Sequence, residues 1–184
     1  NAQGAFSEDI VTTSDNGAVT GRTGLDLELT YKMETGFGDF SLRSQTTYLL
    51  EVLEDIYFGG PSQDYKGHPG LPKWRSQFEL GYNIDNLSVN WVTDAIASTG
   101  MVSAPVINAD GSILNESTGD RPTYITHNLT AAYDFGNFGR ITAGARNLFD
   151  KGLLRDDNDN WINDSLYIRG HYGREIFAGY SIKF

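Results

Sequence analysis

Asp156-Asp157-Asn158-Asp159-Asn160 is the densest run of oxygen-bearing side chains in the sequence. Carboxylates and amides of this kind suit Ca²⁺, a hard cation that takes oxygen ligands. The run misses the EF-hand register, with no glycine at the turn and no glutamate at the closing position. Two readings therefore stand: a weak Ca²⁺ site built on Asp156, Asp157 and Asp159, or a solvated acidic loop. Trp161 follows directly, a candidate platform for stacking a sugar or aromatic ligand, or else a ring tucked against neighbouring loops. The three histidines, His68, His127 and His171, lie far apart, without the H-E-x-x-H spacing of a zinc protease. No G-x-S-x-G elbow and no phosphate-binding glycine loop occurs. Asn163-Asp164-Ser165 has the form of a glycosylation acceptor, which carries little weight if the source is bacterial. We expect no catalytic residue, no cofactor and no enzyme activity.

Composition narrows the partners. The chain has 184 residues, 24 acidic against 14 basic, and a net charge of -10. That balance argues against nucleic acid, which selects a basic face. With no cysteine there is neither a disulfide framework nor a thiolate metal site. Gly 21, Tyr 10 and Phe 10 fit a turn-rich β protein with many aromatic side chains.

The elements that would position any site are strands. Leu25, Leu27, Leu29, Tyr31 and Met33 alternate with Asp26, Glu28, Thr30 and Lys32, a period-two pattern of about ten residues. After the turn TGFGD, a second strand carries Phe40, Leu42, Tyr48, Leu50 and Val52 against Ser41, Arg43, Gln45, Thr47 and Glu51. Ser44 and Thr46 weaken its oily face. Leu49, Val52, Leu53, Ile56 and Tyr57 also fit helical spacing, so a helical turn is allowed at its far end. Trp74, Phe78, Leu80, Tyr82 and Ile84 mark a third strand, and Asp85-Asn86 a tight connection to a fourth with Leu87, Val89, Trp91, Thr93, Ala95 and Ala97. Ile125, His127, Leu129, Ala131, Tyr133 and Phe135 mark the fifth, which places His127 on the oily face as a satisfied histidine. Gly136-Asn137-Phe138-Gly139 turns the chain into a sixth strand from about Arg140. The seventh ends GREIFAGYSIKF, with Ile176, Ala178, Tyr180, Ile182 and Phe184 on one face.

The connections alternate strictly between short and long. That ordering, with strands of roughly ten residues, matches an outer-membrane barrel, where one end carries short turns and the other long loops. Phe37, Phe40, Phe135, Phe138 and Phe184 gather at the short-turn end, and Tyr48, Trp74, Tyr124 and Phe149 at the long-loop end, as two aromatic girdles would. There is no apolar run long enough for a membrane-spanning helix. The polar, loop-like opening run leads us to expect a piece of a longer chain. Seven antiparallel strands leave two edges that need partners from outside this sequence, because unpaired backbone groups find no water in lipid.

The motif Asn147-Leu148-Phe149-Asp150-Lys151, then Gly173-Arg174-Glu175 and an aromatic-terminated last strand, resembles the C-terminal end of the TonB-dependent outer-membrane receptors. The segments DRPTYITHNLTAAYDFG and LPKWRSQFELGY fit the preceding strands of that family, so the resemblance covers essentially the whole of 1–184. It implies a barrel of about twenty-two strands, of which these are the last seven, with a plug domain and a TonB-binding box outside this sequence. The last strand is similar to the signal read by the barrel-assembly machinery. Gly179, Ile182 and Phe184 match it, whereas Phe177 stands at a position that is commonly polar.

These observations commit the chain to an all-β, antiparallel transmembrane barrel segment in the bacterial outer membrane. Its expected partners are outer-membrane lipid, the assembly machinery, the TonB complex through the missing N-terminal region, and a small-molecule or oligosaccharide ligand. The expected function is import of a scarce nutrient: a siderophore, a cobalamin-like molecule or an oligosaccharide. The rivals are a passive channel or structural barrel, and a soluble β-sandwich binding module.

Overall fold

A computed structural model describes residues 20–55, 60–68, 70–102, 106–107, 113–114, 117–154 and 172–182. The chain is all-β. Its strands are β1 (Thr20–Thr35), β2 (Gly38–Asp55), β3 (Ser62–Asp64), β4 (Trp74–Ile84), β5 (Leu87–Ile96), β6 (Thr99–Val102), β7 (Val106–Ile107), β8 (Ile113–Leu114), β9 (Ser117–Arg121), β10 (Tyr124–Asp134), β11 (Arg140–Arg146) and β12 (Glu175–Ser181). Eight form one antiparallel sheet in the order β1-β2-β4-β5-β10-β11-β12, with β3 paired to β2. The sheet is open, and β1 and β12 are its edges. Because neighbours in the sheet follow one another in the chain, all short turns lie at one end and all long connections at the other. Within the connection after β5, β6 pairs with β9 and β7 with β8.

Directly opposed residues share a face, so the register fixes the two sides of the sheet. One row runs Leu29, Ser44, Phe78, Thr93, His127; the next runs Tyr31, Leu42, Leu80, Trp91, Leu129, Ala145, Ile176. These rows and their neighbours make a continuous apolar face. No second layer covers it among the described residues: Leu27 is 62% exposed, Tyr180 61% and Ile176 79%. Several polar groups on this face answer one another. Thr46 and Ser76 share a hydroxyl–hydroxyl bond of 2.8 Å. Trp91 Nε1 donates to Thr93 Oγ1 at 3.0 Å, and that hydroxyl lies 2.9 Å from His127 Nδ1. His127 is thus on the oily face with its Nδ1 partnered, as its sequence position suggests.

The opposite face is polar and cross-linked between strands. Arg43 reaches Glu28 Oε1 at 3.0 Å, Thr47 donates to Asp26 at 2.6 Å, Gln77 to Asp94 at 2.8 Å, and Asn90 to Glu79 at 2.6 Å.

Two expectations need correction. Val52 does not continue the oily face. The register shifts between Thr23 and Gly24, where Leu50 is the extra residue, and such a bulge swaps the faces beyond it. Val52 therefore falls opposite Arg22 on the other side and is fully buried. The same phase break mimics helical spacing in Leu49, Val52 and Leu53, but β2 remains a strand to Asp55; Ile56 and Tyr57 lie outside the described residues. Tyr124 is the second correction. It shares a face with Thr126 and packs on Ile96 and Leu154, so it belongs to a small core on the polar side and not to an outward girdle. Strands β1 and β2, at 16 and 18 residues, are also longer than their patterns suggest.

The short-turn end is closed by a device used twice. Gly38, at φ +128, lies beneath the ring of Tyr82, whose hydroxyl donates to the Phe37 carbonyl at 2.6 Å. Gly139, at φ +97, lies beneath the ring of Tyr180, whose hydroxyl donates to the Phe138 carbonyl. Each tyrosine ties its strand to the turn of the neighbouring hairpin. An added Cβ would stand 2.6 Å from the Tyr82 ring and 2.9 Å from the Tyr180 ring, and both backbones are left-handed, so only glycine fits. Tyr82→Phe and Tyr180→Phe are each expected to lower stability by about 0.5–1.5 kcal/mol, the net worth of one hydrogen bond. Thermal unfolding checks this; an unchanged midpoint in both variants would show that the latches carry no stability.

Candidate functional site

The residues of the two sequence motifs, 147–151 and 173–175, come together at the long-connection end of β10, β11 and β12. The chain leaves β11 in a tight turn that needs two left-handed residues, Asn147 at φ 48 and Asp150 at φ 55. Asparagine and aspartate tolerate that region better than other side-chain-bearing residues. Asn147, 2% exposed, spans the turn: its Oδ1 accepts from Lys151 N at 2.8 Å and its Nδ2 donates to Lys151 O at 2.9 Å. Its own amide donates to Asn128 Oδ1 at 2.9 Å, and Leu148 N donates to the His127 carbonyl at 2.7 Å. Asp150 Oδ1 then accepts from Arg174 N at 2.8 Å, beside Gly173 at φ 66. So Asn147, Asp150, Gly173 and Arg174 form a clasp joining the two ends of the connection between β11 and β12. Phe149 folds onto the apolar face against His127 and Trp91, with ring centroids 5.2 and 6.1 Å away.

Beside the clasp, on the polar face, a cavity of about 380 Å³ is lined by Asn128, Thr130, Arg146, Tyr172, Glu175 and Phe177. Phe177 is opposite Gly144, and a Cβ on that glycine would come within 2.7 Å of the ring. The ring therefore covers a cross-strand glycine, which accounts for an aromatic residue on an otherwise polar face. Arg146 lies 5.2 Å over the ring and reaches Glu175 at 3.3 Å. A second polar-face cavity, of about 350 Å³, is walled by Gln45, Arg75, Gln77, Asp94, Tyr124 and Thr126. Amide, guanidinium, carboxylate and phenol groups in one wall offer donors and acceptors suited to an uncharged polar ligand.

No family model, curated protein or solved structure matches this chain.

Asp156, Asp157, Asp159, Trp161 and Phe184 lie outside the described residues. Among the described residues no group of three or more His, Asp or Glu side chains gathers as a metal site would require. Of the terminal-strand residues, Gly179 is opposite Thr142 and Ile182 continues the apolar alternation, 41% exposed.

A polar turn after β3 was missed by sequence reasoning. Asp64 Oδ1 accepts from Val52 N at 3.0 Å and Lys66 N at 2.9 Å, and Lys66 Nζ donates to the Leu50 carbonyl at 2.6 Å. Lys66 also stands 3.3 Å from the Asp64 carboxylate, and the His68 ring sits edge-on to Tyr65 at 4.9 Å. Burial pushes the Asp64 carboxyl up, but the two amides and the Lys66 ammonium outweigh it and hold it below the ordinary range. Burial pushes the His68 imidazole down, and the nearby Asp64 charge restores part of the shift. Both groups bind protons less readily here than in an unfolded chain, so their contribution is full at neutral pH and is lost on acidification. His68 loses its share first, below about 6.5, and Asp64 only in the acid range. Amide exchange at Val52 and Tyr65, corrected for intrinsic rate, is expected to lose protection between pH 7.5 and 5.5; constant protection would contradict this.

Proposed function

We propose that this chain is a membrane-embedded segment of an outer-membrane β-barrel that imports a scarce nutrient, the class of protein that its C-terminal motif resembles. The observation that carries the reading is the bare apolar face, which spans seven consecutive antiparallel strands. Soluble proteins rarely expose apolar patches larger than a few hundred Å², and a sheet in water needs a second layer over such a face. Lipid supplies that layer. Pairing of Thr46 with Ser76 and of Thr93 with His127 also fits a medium where unsatisfied polar groups are expensive. The segregation of short turns from long connections agrees with the one-sided loops of such barrels. The edges β1 and β12 pair, on this reading, with strands from outside this sequence, since open edges are not viable in lipid. The polar face then lines the interior, with the cavity at Arg146, Tyr172 and Phe177 beside the clasp.

That connection is the candidate ligand loop. It concentrates Asp156, Asp157, Asp159 and Asp164, a composition that cannot bury enough apolar surface to form a core. The full-length protein is expected in the outer membrane with heat-modifiable mobility, and to support TonB-dependent uptake of one member of a panel comprising a ferric siderophore, cobalamin and a maltooligosaccharide. Uptake of a panel member without TonB would instead establish a passive channel. Replacing 153–171 by a short Gly/Ser linker, which keeps the clasp residues, is expected to leave insertion intact and weaken uptake. Failure to insert would make the loop structural.

A further inference from the structure

At the long-connection end a cavity of about 370 Å³ lies where three chain segments meet: the turn after β3, the entry to β4 and the link from β5 to β6. Lys66, Gly67, His68, Lys73, Ser98 and Thr99 line it. In a chain of net charge -10, two of the five lysines thus stand at one cavity. Backbone bonds tie the segments together. Gly67 N donates to the Leu71 carbonyl at 2.7 Å, Gly100 N to the Gly67 carbonyl at 2.8 Å, and Leu49 N to the Lys73 carbonyl at 2.8 Å. The walls are therefore set before anything binds. The two lysines differ. Lys66 Nζ donates to the Leu50 carbonyl at 2.6 Å and stands 3.3 Å from the Asp64 carboxylate. Lys73 has no ion-pair partner among the described residues. Its stem lies across Gly67, where an added Cβ would come 3.2 Å from Lys73 Cε. The glycine makes room for that stem, and the packed stem limits where the ammonium can go. Thr99 is 1% exposed, and its Oγ1 has no hydrogen-bond partner among the described residues. A buried hydroxyl left unpaired is costly, so its place in this wall calls for an acceptor from outside the chain.

We infer that this cavity binds a phosphate monoester, a role independent of the membrane reading. Lys73 supplies the net positive charge, because Asp64 already answers Lys66. Hydrogen bonds from an ammonium to phosphate are charge-assisted and stronger than neutral ones. The Thr99 and Ser98 hydroxyls and the His68 ring add neutral donors from the other walls. Donors on three segments suit a tetrahedral phosphate, which turns three oxygens in different directions. A carboxylate offers two, in one plane. The cavity is larger than the phosphate group alone and leaves room for the organic part of an ester. Walls fixed in advance lower the ordering cost of binding.

The test is calorimetric titration of the purified protein with glycerol phosphate and with dihexanoyl phosphatidate, which carry the same phosphate monoester without and with lipid chains. Dihexanoyl phosphatidylcholine, which has no monoester, is the control. Both phosphate monoesters are expected to bind and the control not to bind. Tighter binding of the phosphatidate assigns a lipid headgroup as the source, and equal binding assigns a soluble ester. Lys73→Met keeps a stem over Gly67 and removes the charge, and is expected to weaken binding about tenfold. Thr99→Val removes only the hydroxyl. It is expected to weaken binding several-fold while melting, without ligand, no lower than the wild type, because the lost hydroxyl had no partner inside the protein. Lys32→Met, an exposed lysine at the short-turn end, is expected to change nothing. No binding by the wild type, unchanged affinity in Lys73→Met or in Thr99→Val, or an equal loss in Lys32→Met overturns the inference.

Discussion

Leu80→Arg is expected, on the proposed membrane reading, to lower stability in a bilayer by about 2–4 kcal/mol, the value for a cation on a lipid-facing strand near the midplane. Gln77→Arg, three residues away on the same strand, leaves it within about 0.5 kcal/mol. Leu80 is central to the apolar face, opposite Leu42 on one side and Trp91 on the other, and 42% exposed. An arginine there has no partner within its row and too little length to reach either interface. Gln77 is on the other face, bonded to Asp94, and an arginine in its place stands next to that carboxylate. Glu79 is a poorer site for the control, because it accepts from Asn90 and stands directly opposite Arg43, so a second guanidinium would face the first. Folding equilibria of the two variants in lipid vesicles decide the matter. If Gln77→Arg were the damaging change, the register would be displaced by one residue and every facing assignment would invert.

Asn147→Ala has the next largest expected effect, a loss of about 3 kcal/mol. Two hydrogen bonds to Lys151 disappear, at about 1 kcal/mol each. The alanine must also hold φ 48, where a Cβ without a local hydrogen bond costs about 1 kcal/mol. Asn147→Gly removes the bonds and relieves the backbone, so it falls about 1 kcal/mol short of the alanine variant. Asn147→Asp keeps the bond from Lys151 N but sets a buried carboxylate oxygen against the Lys151 carbonyl, acceptor against acceptor, so it is destabilised as well. Thermal unfolding is the measurement, and an alanine variant less stable than the glycine variant is the expected outcome. Equal loss in the alanine and glycine variants would remove the backbone contribution from the account.

The strands were legible because period-two alternation survives wherever one face is bare. Residues 25–33 and 125–133 show it without interruption, and the structure places them in β1 and β10. Legibility failed where the backbone leaves the regular pleat. The extra residue at Leu50 reverses the faces beyond it, and sequence alone offered only helical spacing as an explanation. Tyr124 opens β10 directly after Pro122-Thr123, with no upstream alternation to phase it, so an aromatic at a strand end read as girdle. The motif residues Asn147, Asp150, Gly173 and Arg174 were found by resemblance, but their task could not be seen, because it depends on two left-handed residues and on bonds between chain segments far apart in sequence.

The central claim is that one face of this sheet meets lipid and the other does not. The sequence has no cysteine, so single nitroxide labels can be placed along β4 at 75–83 in the full-length protein once any cysteines elsewhere are removed. In native-like bilayers the account predicts oxygen collision rates that peak at 76, 78, 80 and 82. A polar nickel chelate should favour 75, 77, 79, 81 and 83, in a strict period of two. Uniform access of the nickel chelate to both sets, or oxygen maxima at the odd positions, would contradict it.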